Sequence, residues 1–218
     1  MKDIHAVKGK FLIQRLIEEG EHEHQDFKFA ISDARKIARS ISAFANNDGG
    51  HLLIGVKDNG KVAGVRNEED IYVVEQAAQS YCTPAQEIKV KAYIAEGGAV
   101  VMKVDIEASA VRPVMVREAE GKMKAYYRVN DENIVAHPLM VKIWRKAAAD
   151  NGMLLELSHG QRALLDLIDE EKQLTFERYL HRAHVSQALG EEIVTRLGAA
   201  GIIKLAYNGT EFVITAAD

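Results

Sequence analysis

Apolar side chains along the chain follow two spacings, one typical of helices and one typical of strands. Helical spacing predicts helices over residues 11–19, 33–45, 68–81 and 139–149. Alternating or continuous apolar residues predict strands over 52–56, 88–94, 99–106 and 126–129, with a polar edge strand near 21–29. Turns at Asn59-Gly60 and Gly97-Gly98 predict two hairpins. Since helices and strands do not alternate regularly, we expect a mixed α/β domain of the α+β class, a sheet with flanking helices.

The pattern changes after residue 150. Ser158, Thr175 and Ser186 are placed to cap three successive helices, and Gly201 is placed to end the third. A hairpin is predicted around Asn208-Gly209. Three helices followed by a hairpin are typical of a winged helix. We therefore expect two domains, residues 1–150 and a small winged-helix domain over residues 151–218.

Composition limits the function classes. The net charge of the 218 residues is −4 and the pI is about 6.1, so a polycation that coats nucleic acid is excluded. Residues 1–150 carry 22 acidic and 22 basic side chains, whereas residues 151–218 carry ten and six. Cys82 is the only cysteine, which excludes an internal disulfide and a thiolate-rich zinc site. With no apolar run long enough for a membrane span and no signal core, we expect a cytoplasmic protein without membrane contact.

A 25-residue run from Ile41 to Val65, containing Asn46-Asn47-Asp48-Gly49-Gly50, carries a family resemblance. It is similar to the central signature of the AlbA_2, or Schlafen-type AlbA, family. Upstream, Glu21 followed by Asp26-Phe27-Lys28 resembles the family's first element, and downstream Tyr127-Arg128-Val129-Asn130 resembles its last. The resemblance covers about residues 20–140 and implies an AlbA_2-like domain that binds DNA or RNA.

Animal Schlafen relatives use three carboxylates of this domain as a metal-dependent ribonuclease site. The resemblance transfers these catalytic and metal-binding roles to Glu21, Asp26 and Asp58, which would hold Mg²⁺ or Mn²⁺. Asp26 stands where the family usually has glutamate, so its reach is one methylene shorter. The alternative is that Glu21 and Asp26 lie on a solvated edge strand and that Asp58 starts a turn.

Basic residues of the first domain provide candidate phosphate contacts. Arg35, Lys36 and Arg39 lie on the polar side of the helix that begins near Asp33. We expect further cations nearby in the fold, namely Lys28, Lys57, Lys61 and Arg128. An ordinary solvated helix face is the alternative, because every soluble helix carries such residues.

The glycine-rich segment of the first domain does not predict a nucleotide-binding loop. Gly49-Gly50 and Gly55 lack the Gly-Lys-Ser/Thr ending of a phosphate-binding loop, so we expect no ATP and no cofactor unless the protein is a nuclease.

In the predicted winged-helix domain, Glu191 and Glu192 lie on the helix that would enter a DNA groove. Their charge repels phosphate, which favours packing or dimerisation for this domain, with direct reading of a DNA operator as the alternative.

The leading hypothesis is a non-catalytic nucleic-acid-binding protein that regulates transcription, forms a homodimer and binds DNA or RNA. A Schlafen-type endoribonuclease that depends on Mg²⁺ or Mn²⁺ is the first alternative. A protein-interaction scaffold is the second.

Overall fold

The computed structural model describes residues 5–29, 31, 33–65, 69–149 and 157–217. The chain forms two compact units, the first ending at Val135 and the second beginning at Ala136. Within the described residues, the first unit contains three α-helices: α1 (Lys10–Glu19), α2 (Ala34–Asn46) and α3 (Glu69–Gln76). Its strands are β1 (Val7–Lys8), β2 (Gln25–Lys28), β3 (Gly50–Ile54), β4 (Cys82–Thr83), β5 (Ile88–Ile94), β6 (Val100–Ile106), β7 (Met115–Arg117), β8 (Met123–Val129) and β9 (Glu132–Val135).

The nine described strands of the first unit form two sheets. Five strands form a mixed sheet in the order β1-β5-β6-β3-β2, in which β2 runs parallel to β3 and β5 runs antiparallel to β6. The other sheet has the order β4-β7-β8-β9 and is antiparallel. Since β2 and β3 are parallel, their carboxyl ends meet at one edge of the mixed sheet.

Helix α2 lies in the middle of the unit and packs against both sheets. Ten of its 13 residues are buried, which is more than a helix with a solvated polar face would bury. Ile41 and Phe44 pack with Leu52 of β3 in the main core, which also includes Val116 and Tyr126 of the antiparallel sheet. The polar side of α2 is therefore narrow, and its exposed residues are near the start of the helix.

Helix α1 covers part of the opposite face of the mixed sheet. Ile13 and Leu16 pack there with Phe27, Leu53 and Val101. Beyond α1, this face carries a polar group of side chains that includes His51 and Lys103, which lie on β3 and β6.

The described part of the second unit contains four helices and three short strands. The helices are α4 (Pro138–Ala149), α5 (His159–Glu171), α6 (Phe176–Ala183) and α7 (Gln187–Ala199), and the strands are β10 (Gln173–Leu174), β11 (Ile203–Tyr207) and β12 (Phe212–Ala216). The strands pair in the order β10-β12-β11. The boundary at Val135 differs from the one expected after residue 150, because α4 packs on α7, with Ile143 against Gly198.

Most predicted elements are present. The caps at Ser158, Thr175 and Ser186 each accept a backbone hydrogen bond, as predicted. The hairpin at Asn59-Gly60 is reduced to a single bridge between Val56 and Val62. Helix α2 is capped by Asp33, whose side chain accepts a hydrogen bond from the backbone amide of Arg35. The expected domain start at Asn151 lies outside the described residues.

Candidate functional site

Glu21 and Asp26, two of the three predicted metal ligands, lie beside each other at the start of β2. Glu21 Oε1 accepts a hydrogen bond of 2.8 Å from the backbone amide of Phe27. Burial raises the pKa of Glu21, and a side-chain hydrogen bond with Asp26 raises it further. Asp26 is 3% exposed, so it does not lie on a solvated strand surface as the alternative interpretation expected.

Two cations already lie beside Asp26. Lys28 Nζ is 2.7 Å from Asp26 Oδ2, and an Arg128 guanidinium nitrogen is 3.7 Å from Oδ1. The Ser40 hydroxyl also donates to Oδ2, at 3.2 Å. A carboxylate paired in this way is held by opposite charge and gives up this stabilisation if it binds a metal instead.

Arg128 is a structural residue in this arrangement. It is 1% exposed and donates hydrogen bonds to the carbonyl oxygens of His22 and Gln25 and to Asn133 Oδ1. A guanidinium that is buried and fully engaged is not available to a phosphate. Strand β8 directs this side chain into the interior, and contact between Arg128 and nucleic acid stays a prediction.

Asp58 does not join Glu21 and Asp26. It lies exposed in the turn that follows β3. Among the described residues, no three His, Cys, Asp or Glu side chains are close enough together to hold a metal ion. The three carboxylates that the resemblance implied therefore do not fit a divalent cation in this structure.

Lys57 and Lys61 flank that same turn. Both are exposed, and the Lys57 ammonium lies 4.9 Å from the centre of the Phe29 ring. The Lys57 amide donates to the Lys61 carbonyl oxygen. No contact in the described part of the chain joins this pair to the cations of α2.

The three cations of α2 have different environments. Arg35 and Lys36 are exposed, whereas Arg39 donates to both carboxylate oxygens of Glu118 at 2.8 and 2.7 Å. Arg39 lowers the pKa of Glu118, and Tyr126 donates its hydroxyl to the same carboxylate. Arg39 is thus paired, and two of the three predicted phosphate contacts on α2 remain open.

A groove of about 380 Å³ adjoins the start of α2. The Arg35 guanidinium lies 5.8 Å from the centre of the Tyr81 ring at one side of this groove, and the exposed Arg117 of β7 lines it too. Sequence reasoning missed Tyr81 and Arg117. Both are distant from Arg35 in the chain, so only an alignment of related sequences carries a signal that links them.

In the second unit, helix α7 packs against α4. Lys142 of α4 forms an ion pair with Glu191 of α7. Glu192 pairs with Arg196 on α7 itself, at 3.9 Å. The positive charge of Arg196 on α7 is therefore partly neutralised.

The chain was compared with family profiles, curated sequences and solved structures. The profile of the family described as Schlafen, AlbA_2 matches residues 21–137, and no curated protein sequence matches the chain. The DIP2311 protein from Corynebacterium diphtheriae is a similar solved structure, with 18% identity, a TM-score of 0.46 and 81% of this chain covered. The chain spans 32% of that protein.

A second similar structure is the N-terminal domain of a protein from Nitrosomonas europaea that is named as related to the ATP-dependent DNA helicase RecG. It has 22% identity and a TM-score of 0.39, with 70% of this chain and 97% of that domain covered. Both TM-scores are low, and neither similarity bears on function. The family match spans more than half of the 218 residues, and the chain therefore belongs to the Schlafen AlbA_2 family.

Proposed function

We propose that the protein binds DNA or RNA without cutting it, through the exposed cations at the start of α2 and on β7. Arg35, Lys36 and Arg117 form this surface, which we call the α2–β7 surface. Among the described residues, none of the three forms an ion pair. This observation carries the proposal, because an unpaired, hydrated cation can neutralise a phosphate and release its counterion.

Family membership supports the same function, since the resemblance to AlbA_2 sequences implies nucleic-acid binding. The α2–β7 surface suits phosphates better than the other predicted cations do. Lys28 and Arg128 are committed to Asp26, and Arg39 is committed to Glu118. Three phosphate contacts carry no sequence information, so we expect similar affinity across sequences.

Fluorescence anisotropy with labelled duplex DNA and structured RNA between 50 and 200 mM salt tests the proposal. Replacing Arg35, Lys36 and Arg117 together by Gln should weaken binding to every sequence alike. The slope of log affinity against log salt should fall by roughly two to three, the value for three lost phosphate contacts.

A matched triple variant changes three exposed cations elsewhere in the first unit, Arg15, Lys89 and Lys91, to Gln. It should keep the wild-type affinity within about two-fold, apart from a small non-specific charge effect. Equal losses in the two triple variants, or no binding by the wild type at any salt concentration, would exclude the α2–β7 surface.

The geometry does not favour the alternative of a metal-dependent endoribonuclease. Glu21 and Asp26 are adjacent, but Asp58 lies apart from them and two cations lie beside Asp26. No step of a metal-assisted reaction follows from this arrangement.

A further inference from the structure

The groove beside Arg35 has an aromatic wall. Tyr81 ends a π-helical turn, Ala77–Tyr81, that follows α3 directly. Such widened turns are uncommon and occur often at functional sites, because the extra residue redirects the side chains around it. Here the half-buried Tyr81 ring lies at the groove, with the Arg35 guanidinium over it.

The charges that line the groove leave a positive excess. Two carboxylates are present, and each is already paired: Glu118 with Arg39 and the Tyr126 hydroxyl, and Glu120 with Lys122 at 2.9 Å. The two lining arginines, Arg35 and Arg117, have no carboxylate partner within the described residues. An anionic ligand would therefore meet net positive charge in the groove.

The size and the polar groups of the groove fit a small aromatic anion. A volume of about 380 Å³ is within the range of pockets that hold small ligands. Gln76 and Ser80 are exposed on the same wall as Tyr81 and can exchange hydrogen bonds with a ligand. A planar ring with a phosphate attached matches this combination of aromatic, polar and cationic groups.

The geometry points to a site for one unpaired nucleotide of a single strand. Its base would stack on the Arg35–Tyr81 pair and its phosphate would be bound by Arg117. Aromatic rings and arginine planes stack on bases of any sequence, and a base inside a duplex has no free face to offer. This inference rests on the proposed function and adds that the preferred polymer is single-stranded.

Competition between strand types tests the site in the full chain. Anisotropy is measured with a 12-nucleotide single strand, as DNA and as RNA, and with the same sequences made fully duplex. The wild type should bind the single strand more tightly than the duplex in at least one of the two sugar types. The type that binds identifies whether the source of the nucleotide is DNA or RNA.

Variants of the aromatic wall give the sharpest comparison. Tyr81→Leu removes the stacking face at similar size and should weaken single-strand binding about ten-fold while leaving duplex binding unchanged. Tyr81→Phe keeps the face and should keep the wild-type affinity. Tyr72→Leu makes the same change at a different tyrosine, which lies exposed on α3 outside the groove, and serves as the matched control. Thermal unfolding checks that each variant is folded.

The two proposals fail in different ways. If Tyr81→Leu binds single strands as the wild type does, while the triple Gln variant of the α2–β7 surface loses affinity, the nucleotide site is excluded and the proposed function stands. An equal loss in Tyr72→Leu, or a preference of the wild type for duplexes of both sugars, also excludes the site. Binding to no nucleic acid excludes both proposals.

Discussion

At the scale of single residues, His51 on β3 of the mixed sheet is held in its neutral form. Gln25 donates its amide hydrogens to the carbonyl oxygens of Leu16 and Gly20, each at 2.6 Å, so its Oε1 is left to accept from His51 Nε2 at 2.7 Å. Burial, with Lys103 nearby, lowers the pKa of His51 to about 4. Protonated His51 is therefore unfavourable in the folded chain.

The stability of the protein should depend on pH through His51. The unfolded chain takes up this proton near pH 6.5, whereas the folded chain does so only near pH 4. The contribution of His51 is thus complete above pH 6.5 and is lost as the pH falls from 6.5 towards 4. Between pH 7.5 and 5.0 the full shift in the pKa of His51 corresponds to about 2 kcal/mol of unfolding free energy. Because His51 is only partly buried and solvent screens this effect, the wild type should lose about 1 kcal/mol more unfolding free energy than His51→Gln, measured by urea denaturation.

The raised pKa of Glu21 changes the stability of the protein in the opposite direction with pH. A carboxyl group that stays protonated in the folded chain loses its contribution to stability as the pH rises above 4.5. The comparison of wild type and variant cancels this effect, as Glu21 is present in both. In His5→Gln, a change at an exposed histidine, the unfolding free energy should depend on pH as it does in the wild type. If the unfolding free energies of His51→Gln and the wild type depend on pH identically, the prediction is contradicted.

At the scale of elements, two asparagines join α2 to the antiparallel sheet. The Asn46 side chain donates to the carbonyl oxygens of Val114 and Tyr126 at 3.0 and 2.9 Å and accepts from the Val114 amide at 2.7 Å. Next to it, Asn47 accepts from the amide of Arg128 and donates to its carbonyl oxygen. These amides pair with backbone groups in the way that a neighbouring strand would, which fixes the sheet on the helix.

Asn46→Ala should destabilise the protein by about 3 kcal/mol, because the buried amide of Val114 and the carbonyl oxygen of Tyr126 lose their side-chain partner, whereas the Val114 carbonyl oxygen keeps the Ser42 hydroxyl. Asn46 is 1% exposed, so water does not replace the amide. The midpoint of urea unfolding measures the change. Asn59→Ala, at the exposed turn after β3, is the control and should cost less than about 1 kcal/mol. Similar losses of unfolding free energy in both variants would contradict a stabilising role of the buried Asn46 hydrogen bonds.

Glycines also decide how elements approach one another. Gly55 has a φ of 95°, and a Cβ there would lie 2.8 Å from the carbonyl carbon of Gly64. In the second unit, a Cβ on Gly190 would clash with the Leu180 side chain of α6. The lack of a side chain at Gly55 thus permits the close approach of its backbone to that of Gly64.

At the scale of the whole molecule, charge is distributed unevenly along the chain. The net charge of −4 arises in residues 151–218, whereas residues 1–150 are neutral in total. An acidic segment lowers the local concentration of a polyanion.

Within the described residues, no helix has the length and apolarity needed to cross a bilayer. Homodimer formation and a role in transcription stay predictions.

The tail should contribute little to nucleic-acid affinity. Replacing Arg162 and Arg196 together by Gln should leave the affinity for DNA and RNA within about two-fold of the wild type, because the surrounding acidic side chains already repel phosphate. Arg162 is exposed and Arg196 is paired with Glu192, so neither change should disturb the core. Anisotropy at 50 mM salt measures this. A ten-fold loss would assign a direct binding role to the second unit.

The order of the main helices and strands followed from the sequence alone, because periodic apolar residues and capping side chains act locally. The family followed from one 25-residue run with its two flanking elements. Tertiary structure decided the fate of the charged residues. Lys28 and Arg128 turn towards Asp26, and Arg39 pairs with a glutamate 79 positions away. Such pairing depends on how distant segments meet, which periodicity does not encode.

The same reason explains what sequence reasoning missed at the groove. Arg35, Tyr81 and Arg117 belong to a helix, a π-helical turn and a strand, and they line one surface only because α2 packs against both of the other elements. Local pattern identified Arg35 as exposed, but it carried no information about its neighbours in space. The sequence thus determined which segments form, and long-range packing determined which of their side chains remain free to bind a ligand.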